Sequence, residues 1–263
     1  MALKPIAEDL VAALRFYSRL PLPEWGAAPH AAPDMNRLAY AVPLAGLVLG
    51  AIGGLVLLAA TGLRLPPYLV ATLAVTVLVL ISGALQEDGL ADTADGFGGG
   101  RDRAHRLAIM RDSRVGSFGA TALVLALMLR VGALLALIET SGALRAALAF
   151  AAAAAASRAA GILLLRALPS ARADGASASV GQPTPKAALT CGLVAALVVV
   201  VVLVPAFGVG AAFAGLIAPL LALAALGWLS ARLLGGQTGD VAGATQQACE
   251  IAFLLAVLLF ARG

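Results

Sequence analysis

Side chains that could do chemistry crowd one stretch of this chain, Glu87 to Gly116, which reads EDGLADTADGFGGGRDRAHRLAIMRDSRVG. Of the 14 acidic residues in the chain, six fall inside it: Glu87, Asp88, Asp92, Asp95, Asp102 and Asp112. Arg101, Arg103, Arg106, Arg111 and Arg114 follow the first four acids. Long apolar runs flank the stretch, and charge at the edge of hydrocarbon is expensive unless something binds it. If Leu85 to Gly96 continues the preceding helix, Asp88, Asp92 and Asp95 share one face within about 60° of arc. Like charges at i,i+4 repel by roughly 0.2–0.5 kcal/mol in water, and by more when desolvated. Three stacked carboxylates therefore call for a counter-charge, and oxygen-only ligands favour Mg2+, Mn2+ or Ca2+ over zinc. The competing account is an acidic helix end kept in water by the nearby arginines. The repeated spacing at a membrane edge favours the metal. Asp102, between two arginines, reads as a solvated charge.

The glycines add less. Gly96, Gly98, Gly99 and Gly100 let backbone N–H groups approach an anion, and they equally read as a helix stop and turn. No G-x-x-x-x-G-K-[ST] is present, so this is not a P-loop. The arginines have two readings that hold together: bidentate phosphate clamps and the positive-inside mark of a cytoplasmic loop.

At these residues the chain resembles a known family. EDGLADTADGFGGGRDRAHRLAIMRDSRVGSFG is similar to the signature of cobalamin synthase, the adenosylcobinamide-GDP ribazoletransferase family, itself distantly similar to the CDP-alcohol phosphotransferases. The wider pattern is D-x-x-D-G-x-x-A-R followed by G-x-x-x-D-x-x-x-D. Asp92-Thr93-Ala94-Asp95-Gly96 matches its start, and a glycine run ending at Arg101 stands where Ala-Arg belongs. Asp112 is present, but position 108 is Ala and position 116 is Gly, so one carboxylate is missing and Asp88 is the candidate substitute. FYSRLPLP at 16–23, RLAYAVPLAGLVLG at 37–50 and GDVAGATQQACE at 239–250 extend the resemblance over nearly the whole chain.

The elements that must hold these residues are membrane helices. The chain is 61% hydrophobic and only 12% charged, with a mean hydropathy of +0.97, where soluble domains carry about 25% charged residues. The expected fold is an all-α, polytopic integral membrane bundle of about seven transmembrane helices, a single domain spanning 1–263. Its N-terminal segment, 1–36, is cytoplasmic and amphipathic, with an interfacial helix from Pro5 to Leu20. It has early acids and no cleavable apolar core, so it does not read as a signal peptide. His30 reads as a solvated linker residue. The bundle, 39–263, has spans near 39–60, 67–87, 117–138, 144–166, 187–204, 211–231 and 241–261. Cys191 and Cys249 read as buried small residues. The basic residues lack interleaved aromatics, which excludes a nucleic-acid partner.

Loop charges orient the bundle. Lys4, Arg15, Arg19 and Arg37, the signature arginines, and Arg166, Arg172 and Lys186 fall on one side, against Arg64 and Arg145 on the other. The basic side is cytoplasmic by the positive-inside rule. This expectation places the protein in the bacterial inner membrane with its N-terminus and polar segments inside and its C-terminus outside.

Further candidates converge on that side. Asp240 and Glu250 could add carboxylates, though Glu250 lies deep and Asp240 equally serves as an N-cap. Gln246 and Gln247 are expected at a polar substrate. Arg158, deep in the fourth span beside Ser157, is expected to clamp a phosphate in preference to snorkelling, whereas Arg130 is expected to snorkel. His105 reads as surface.

The chemistry is a metal-assisted phosphotransfer. Asp88, Asp92, Asp95 and Asp112 are expected to hold Mg2+, with Mn2+ as an alternative, and Asp92, Asp95 and Asp112 to be catalytic. Glu87, Arg101, Arg111, Arg114, Arg158, Asp240, Gln246 and Gln247 are expected at substrate. The resemblance implies the partners: adenosylcobinamide-GDP and α-ribazole or its 5′-phosphate, with GMP released and Asp112 as base by analogy. Membrane lipid is expected around the chain, and a homo-oligomer is compatible with it. The rivals are a CDP-alcohol phosphatidyltransferase-type lipid synthase and a divalent cation transporter.

Overall fold

The computed structural model describes residues 3–23, 34–173 and 175–261. His30 and the whole 24–33 linker lie outside the described residues. The elements run α1 (Leu3–Tyr17), α2 (Met35–Leu38), α3 (Ala41–Gly62), α4 (Pro67–Ser82), α5 (Leu85–Gly99) and α6 (Arg103–Ile109), then α7 (Ser117–Ser141), α8 (Ala143–Ala167), α9 (Ala176–Val180), α10 (Pro185–Phe207), α11 (Val209–Leu234) and α12 (Gly239–Leu258). Six of them, α3, α7, α8, α10, α11 and α12, are long and apolar enough to cross a membrane, and the bent pair α4–α5 brings the number to as many as seven. The expected polytopic helical architecture is therefore present.

One expectation needs correction. The helix near 67–87 does not run on through the acids; α5 leaves the axis of α4 by 88°. Gly83 (φ +64°) ends α4 in the left-handed region and Ala84 (φ +57°) repeats that conformation. For alanine this costs roughly 1–2 kcal/mol. The Gly83 N–H bonds to Leu80 O (3.1 Å) and the Ala84 N–H to Val79 O (2.9 Å), which closes the helix end. α4 has 16 residues, about 24 Å at 1.5 Å each, short of the ~30 Å hydrocarbon thickness. The chain thus turns before it has fully crossed, and α5 carries its acids sideways along the bundle.

α1 is amphipathic as expected, and its apolar face meets the protein itself. Ala13, Leu14 and Tyr17 are buried. Asp9 accepts from Tyr40 Oη (2.7 Å) and pairs with Arg37 (2.7 Å), which ties α1 to the start of α3.

α8 is the hub. Its alanine tract is buried almost throughout, and α3 lies against it with glycines at the contact. A Cβ on Gly50 would lie 2.6 Å from Ala154 Cβ and 2.8 Å from Ala151 Cα. Lipid tails are as apolar as side chains, so close packing of small residues, more than burial, holds such helices together.

Alternation of the long helices gathers Arg37, the α4–α7 connection, the α8–α10 loop and the α11–α12 turn at one end. Contacts lock these pieces. Ser170 bridges Gln237 in parallel, with Ala171 N donating to Gln237 O (2.7 Å) and Gln237 N to Pro169 O (2.9 Å). Arg103 reaches across from α6, donating to Leu234 O (2.6 Å) and Ala171 O (3.0 Å). Thr184 N donates to Asn36 Oδ1 (2.7 Å).

The α3–α8 contact gives a test. Gly50→Val should prevent stable assembly, because both neighbours are part of α8 itself. Gly62→Val, where a Cβ meets nothing within 4 Å, should be tolerated. Melting temperatures of the two variants in detergent check this; equal values would show that the contact yields.

Candidate active site

The site is assembled on α5, whose residues divide between two faces. On one, Glu87 points into the bundle and is buried. Arg130 of α7 donates to Glu87 Oε1 from Nη1 (2.8 Å) and to Glu250 Oε1 of α12 from Nε (2.9 Å). Arg158 of α8 donates from Nη1 to Glu250 Oε2 (2.7 Å) and to Ser157 Oγ (3.1 Å). Gln247 Nε2 adds a bond to Glu87 Oε1 (2.7 Å). Arg130 is 1% exposed, Arg158 and Glu250 2%, so these charges can persist only as partners.

Several expectations change here. Arg130 does not snorkel. Arg158, expected on a substrate phosphate, is spent on Glu250. Glu87 and Gln247, expected at substrate, sit in the same buried network. Glu250 is as deep as its position suggested.

On the other face of α5, Asp88 is exposed and Asp92 half-buried. Asp92 feels the negative charges of Asp88, Asp240 and Asp95 and the positive charge of Arg172. α12 comes close at this point: a Cβ on Gly89 would lie 2.7 Å from Asp240 O. Thr238, not Asp240, caps α12, accepting from Val241 N (3.2 Å). Asp240 is left in the first turn, contacting Arg172 Nη2 (3.4 Å) and accepting from Thr238 Oγ1 (3.2 Å).

The remaining candidates have other partners. Asp95 is buried, and its two oxygens accept from Gly116 N (2.7 Å) and Gly119 N (2.9 Å), closing the N-terminus of α7. Asp112 stands on the α6–α7 loop, bound by Arg114 Nε (3.0 and 3.1 Å) and Nη2 (2.5 Å). The Arg114 side chain, then its backbone N–H, hold the Asp112 carboxyl down at about 2. Arg101 and Arg111 are exposed on the same connection. Asp102 is exposed and caps α6 through His105 N (2.9 Å), and His105 is exposed as expected.

The donor set is all oxygen, as Mg2+ or Mn2+ prefer, and Asp88 and Asp240 face a common space. Yet among the described residues no three His, Cys, Asp or Glu side chains stand close enough to hold a metal ion. Two of the four expected ligands, Asp95 and Asp112, are engaged with backbone N–H groups and Arg114.

Beside these acids is a cavity of about 140 Å3 between α1, α5, α8, α9 and α12. Asp88 and Asp240 line it together with Gln86 and Gln246, whose amides meet at 3.4 Å. Gln246 thus lies where a polar substrate could reach it. Arg172, Gln86 and the aromatic pair Phe16–Tyr17 were not anticipated. Arg172 counted only as a loop charge, and nothing in the sequence brings α1 next to α5.

Among the described residues the protein is helical and multi-pass, with carboxylates and guanidinium groups gathered at one end of its bundle, a setting suited to a membrane-embedded transferase. This chain belongs to the cobalamin-5-phosphate synthase family, whose model matches residues 9–258. It is 66% identical over 262 residues to the adenosylcobinamide-GDP ribazoletransferase of Xanthobacter autotrophicus, covering 99% of each chain. It is 58% identical to the protein of that name from Azorhizobium caulinodans, over 98% of this chain and 97% of the relative, and 45% identical to that of Rhizobium johnstonii, over 98% of both. No solved structure matches.

Asp92 and Asp95 make separable predictions. Asp92→Asn should cost at least about a hundredfold in turnover, the lower range for a positioned acid–base group, with an unchanged melting temperature. Asp95→Asn removes one acceptor and turns an amide N–H2 toward a backbone N–H. It should destabilise the fold by roughly 1–3 kcal/mol. Rates and melting curves on both proteins decide; an unchanged melting temperature for Asp95→Asn would refute its role as the α7 clasp.

Proposed function

We propose that this chain joins adenosylcobinamide-GDP to α-ribazole, or to α-ribazole 5′-phosphate, giving adenosylcobalamin or its 5′-phosphate and GMP. The observation that carries the reading is the meeting of Asp88 on α5 and Asp240 on α12 at one cavity, with Arg172 touching Asp240. The names of the relatives supply the donor.

In this reaction a ring-hydroxyl oxygen of the acceptor's ribose bonds to the phosphorus that carries cobinamide; the 5′-oxygen is not that nucleophile, because α-ribazole 5′-phosphate keeps its phosphate there in the product. The bond from that phosphorus to the bridging oxygen breaks, and the bridging oxygen leaves with GMP. The hydroxyl proton goes to a carboxylate of the Asp88–Asp92–Asp240 group. Asp112 is poorly suited to that task while Arg114 holds its carboxyl at about 2. Arg172 touches Asp240 by a long contact, and among the described residues its Nε has no partner, which leaves N–H donors for phosphate oxygens. A divalent cation, Mg2+ or Mn2+, held by Asp88 and Asp92 would supply Lewis-acid polarisation and charge neutralisation when bound. The uncompensated acids on one helix support that expectation.

We place the reactive end on the cytoplasmic side of the inner membrane, within membrane lipid, because the basic loop residues gather there. The nucleotide substrate is then reached from the cytosol.

Two measurements test the reading. Protein purified into lipid vesicles should convert adenosylcobinamide-GDP and α-ribazole to adenosylcobalamin and GMP in equal amounts, lose the activity to EDTA and regain it with Mg2+. GMP release without cobalamin would sink it. In a background lacking Cys191 and Cys249, Gly99→Cys should react with impermeant thiol reagents only from the cytoplasmic side; labelling of intact cells would reverse the orientation.

A further inference from the structure

We infer that the cavity beside Asp88 and Asp240 is the seat of the acceptor, holding the flat heteroaromatic base of the nucleoside with its ribose directed at the two carboxylates. The inference rests on the reaction proposed above and assigns one of its two substrates to a place.

Size argues first. The cavity measures about 140 Å3. An apolar cavity of roughly 150 Å3 takes a benzene-sized guest. A flat fused ring entering from the mouth, with its ribose left outside, is compatible with that scale. A corrin macrocycle or a guanosine diphosphate is not.

Charge argues next. Among the described residues, no Lys or Arg lines the cavity, while two carboxylates do. A diphosphate would meet repulsion without a single cationic donor. An uncharged nucleoside meets none, and its hydroxyls can donate to both acids. The arginines lie elsewhere at this end of the bundle; Arg172 touches Asp240 without lining the cavity. Cationic donors and the cavity thus meet the carboxylate group separately.

The walls complete the fit. Phe16, Tyr17, Leu165 and Val180 are apolar surfaces suited to stacking and dispersion against a flat ring. The buried amides of Gln86 and Gln246 supply the few placed polar groups such a site needs. The base of α-ribazole has one unsubstituted ring nitrogen, an acceptor. The Gln86 N–H2, whose bond to Gln246 Oε1 is long at 3.4 Å, can turn to it. Glycines keep the walls open: a Cβ on Gly161 would lie 2.6 Å from Gln246 Nε2, pushing that amide aside. A base seated on the amides with its ribose at Asp88 and Asp240 presents a ring hydroxyl of that ribose where the donor's phosphorus must arrive.

Val180→Trp fills the cavity from α9, a short helix at its rim, and Gln246→Leu removes an amide at nearly constant volume. Each should raise KM for α-ribazole at least tenfold while KM for adenosylcobinamide-GDP stays within about twofold. Equilibrium dialysis with α-ribazole alone should show the same loss of affinity without turnover. Run with α-ribazole 5′-phosphate, the same pair of variants tells whether the phosphorylated acceptor uses this seat: a parallel loss says that it does. Acceptor affinity unchanged in both variants, or donor KM raised as much as acceptor KM, overturns the assignment. If wild-type protein binds α-ribazole but forms no cobalamin, the reaction reading fails and the seat stands. If it forms cobalamin and neither variant changes acceptor affinity, the seat fails and the reaction stands.

Discussion

The geometry at the reactive end depends on a charge-balanced network buried in the bundle. Arg130 and Arg158 supply two positive charges, Glu87 and Glu250 two negative, and Glu250 is shared between the arginines. Such a network adds little net stability over a well-packed apolar core, but removing one member strands the others, at a cost of about 3–5 kcal/mol. What it supplies is register. The four residues come from α5, α7, α8 and α12 and meet through directional bonds, so none of these helices can rotate or slide alone. Asp88 follows Glu87 and leaves the helix about 100° around from it. Anchoring Glu87 inward therefore fixes the direction in which Asp88 and, one turn on, Asp92 face outward. The outward-facing acids of α5 are aimed from behind.

That aim needs a rigid backing, and small residues provide it. The glycine face of α3 lets the alanine tract of α8 come close enough for backbone contact, with the Gly50 position nearly touching Ala151 and Ala154. α8 then presents Arg158 and Gly161 to α12 at a fixed depth. The 88° turn between α4 and α5 belongs to the same economy. A straight helix through Leu85 would carry the acids out along the bundle axis into water. The left-handed pair Gly83–Ala84 lays them across its end, where α12 can meet them.

Much of this was legible in the sequence, and the gaps have physical causes. Apolar runs of spanning length gave the bundle, and helical spacing put Asp88 and Asp92 on one face of α5. Gly83 is an ordinary helix-stop signal, but nothing marks Ala84 for a left-handed conformation that alanine avoids. Arg130, Arg158 and Glu250 each looked like a lone charge in hydrocarbon, which invites a ligand or a snorkelling path. Their pairing spans up to 163 positions from Glu87, and helical periodicity carries no information over that range. Asp95 shows another limit. Its spacing fits a metal stripe, while its partners are backbone N–H groups of Gly116 and Gly119, donors that no side-chain pattern announces. Arg172 was hidden by its loop, since only the backbone pairing of Ala171 with Gln237 turns it toward Asp240.

The partition of charge links this architecture to the proposed chemistry. A phosphotransferase joining a nucleoside to a diphosphate must bring a neutral hydroxyl and a polyanion to the same atom without letting either occupy the other's place. Here carboxylates line a small cavity, and a guanidinium that does not line it touches one of them. The two charges meet at Asp240, which touches Arg172 by one long contact and faces the cavity with Asp88. In the proposed reaction an arriving diphosphate would compete with Asp240 for Arg172. With the arginine turned to phosphate, Asp240 would lose its cationic partner and become a better acceptor for the hydroxyl proton, because a neighbouring cation lowers a carboxylate's basicity and its departure restores it. On this reading donor binding readies the acid beside the acceptor, and the weak pairing of Arg172 with Asp240 makes the exchange inexpensive.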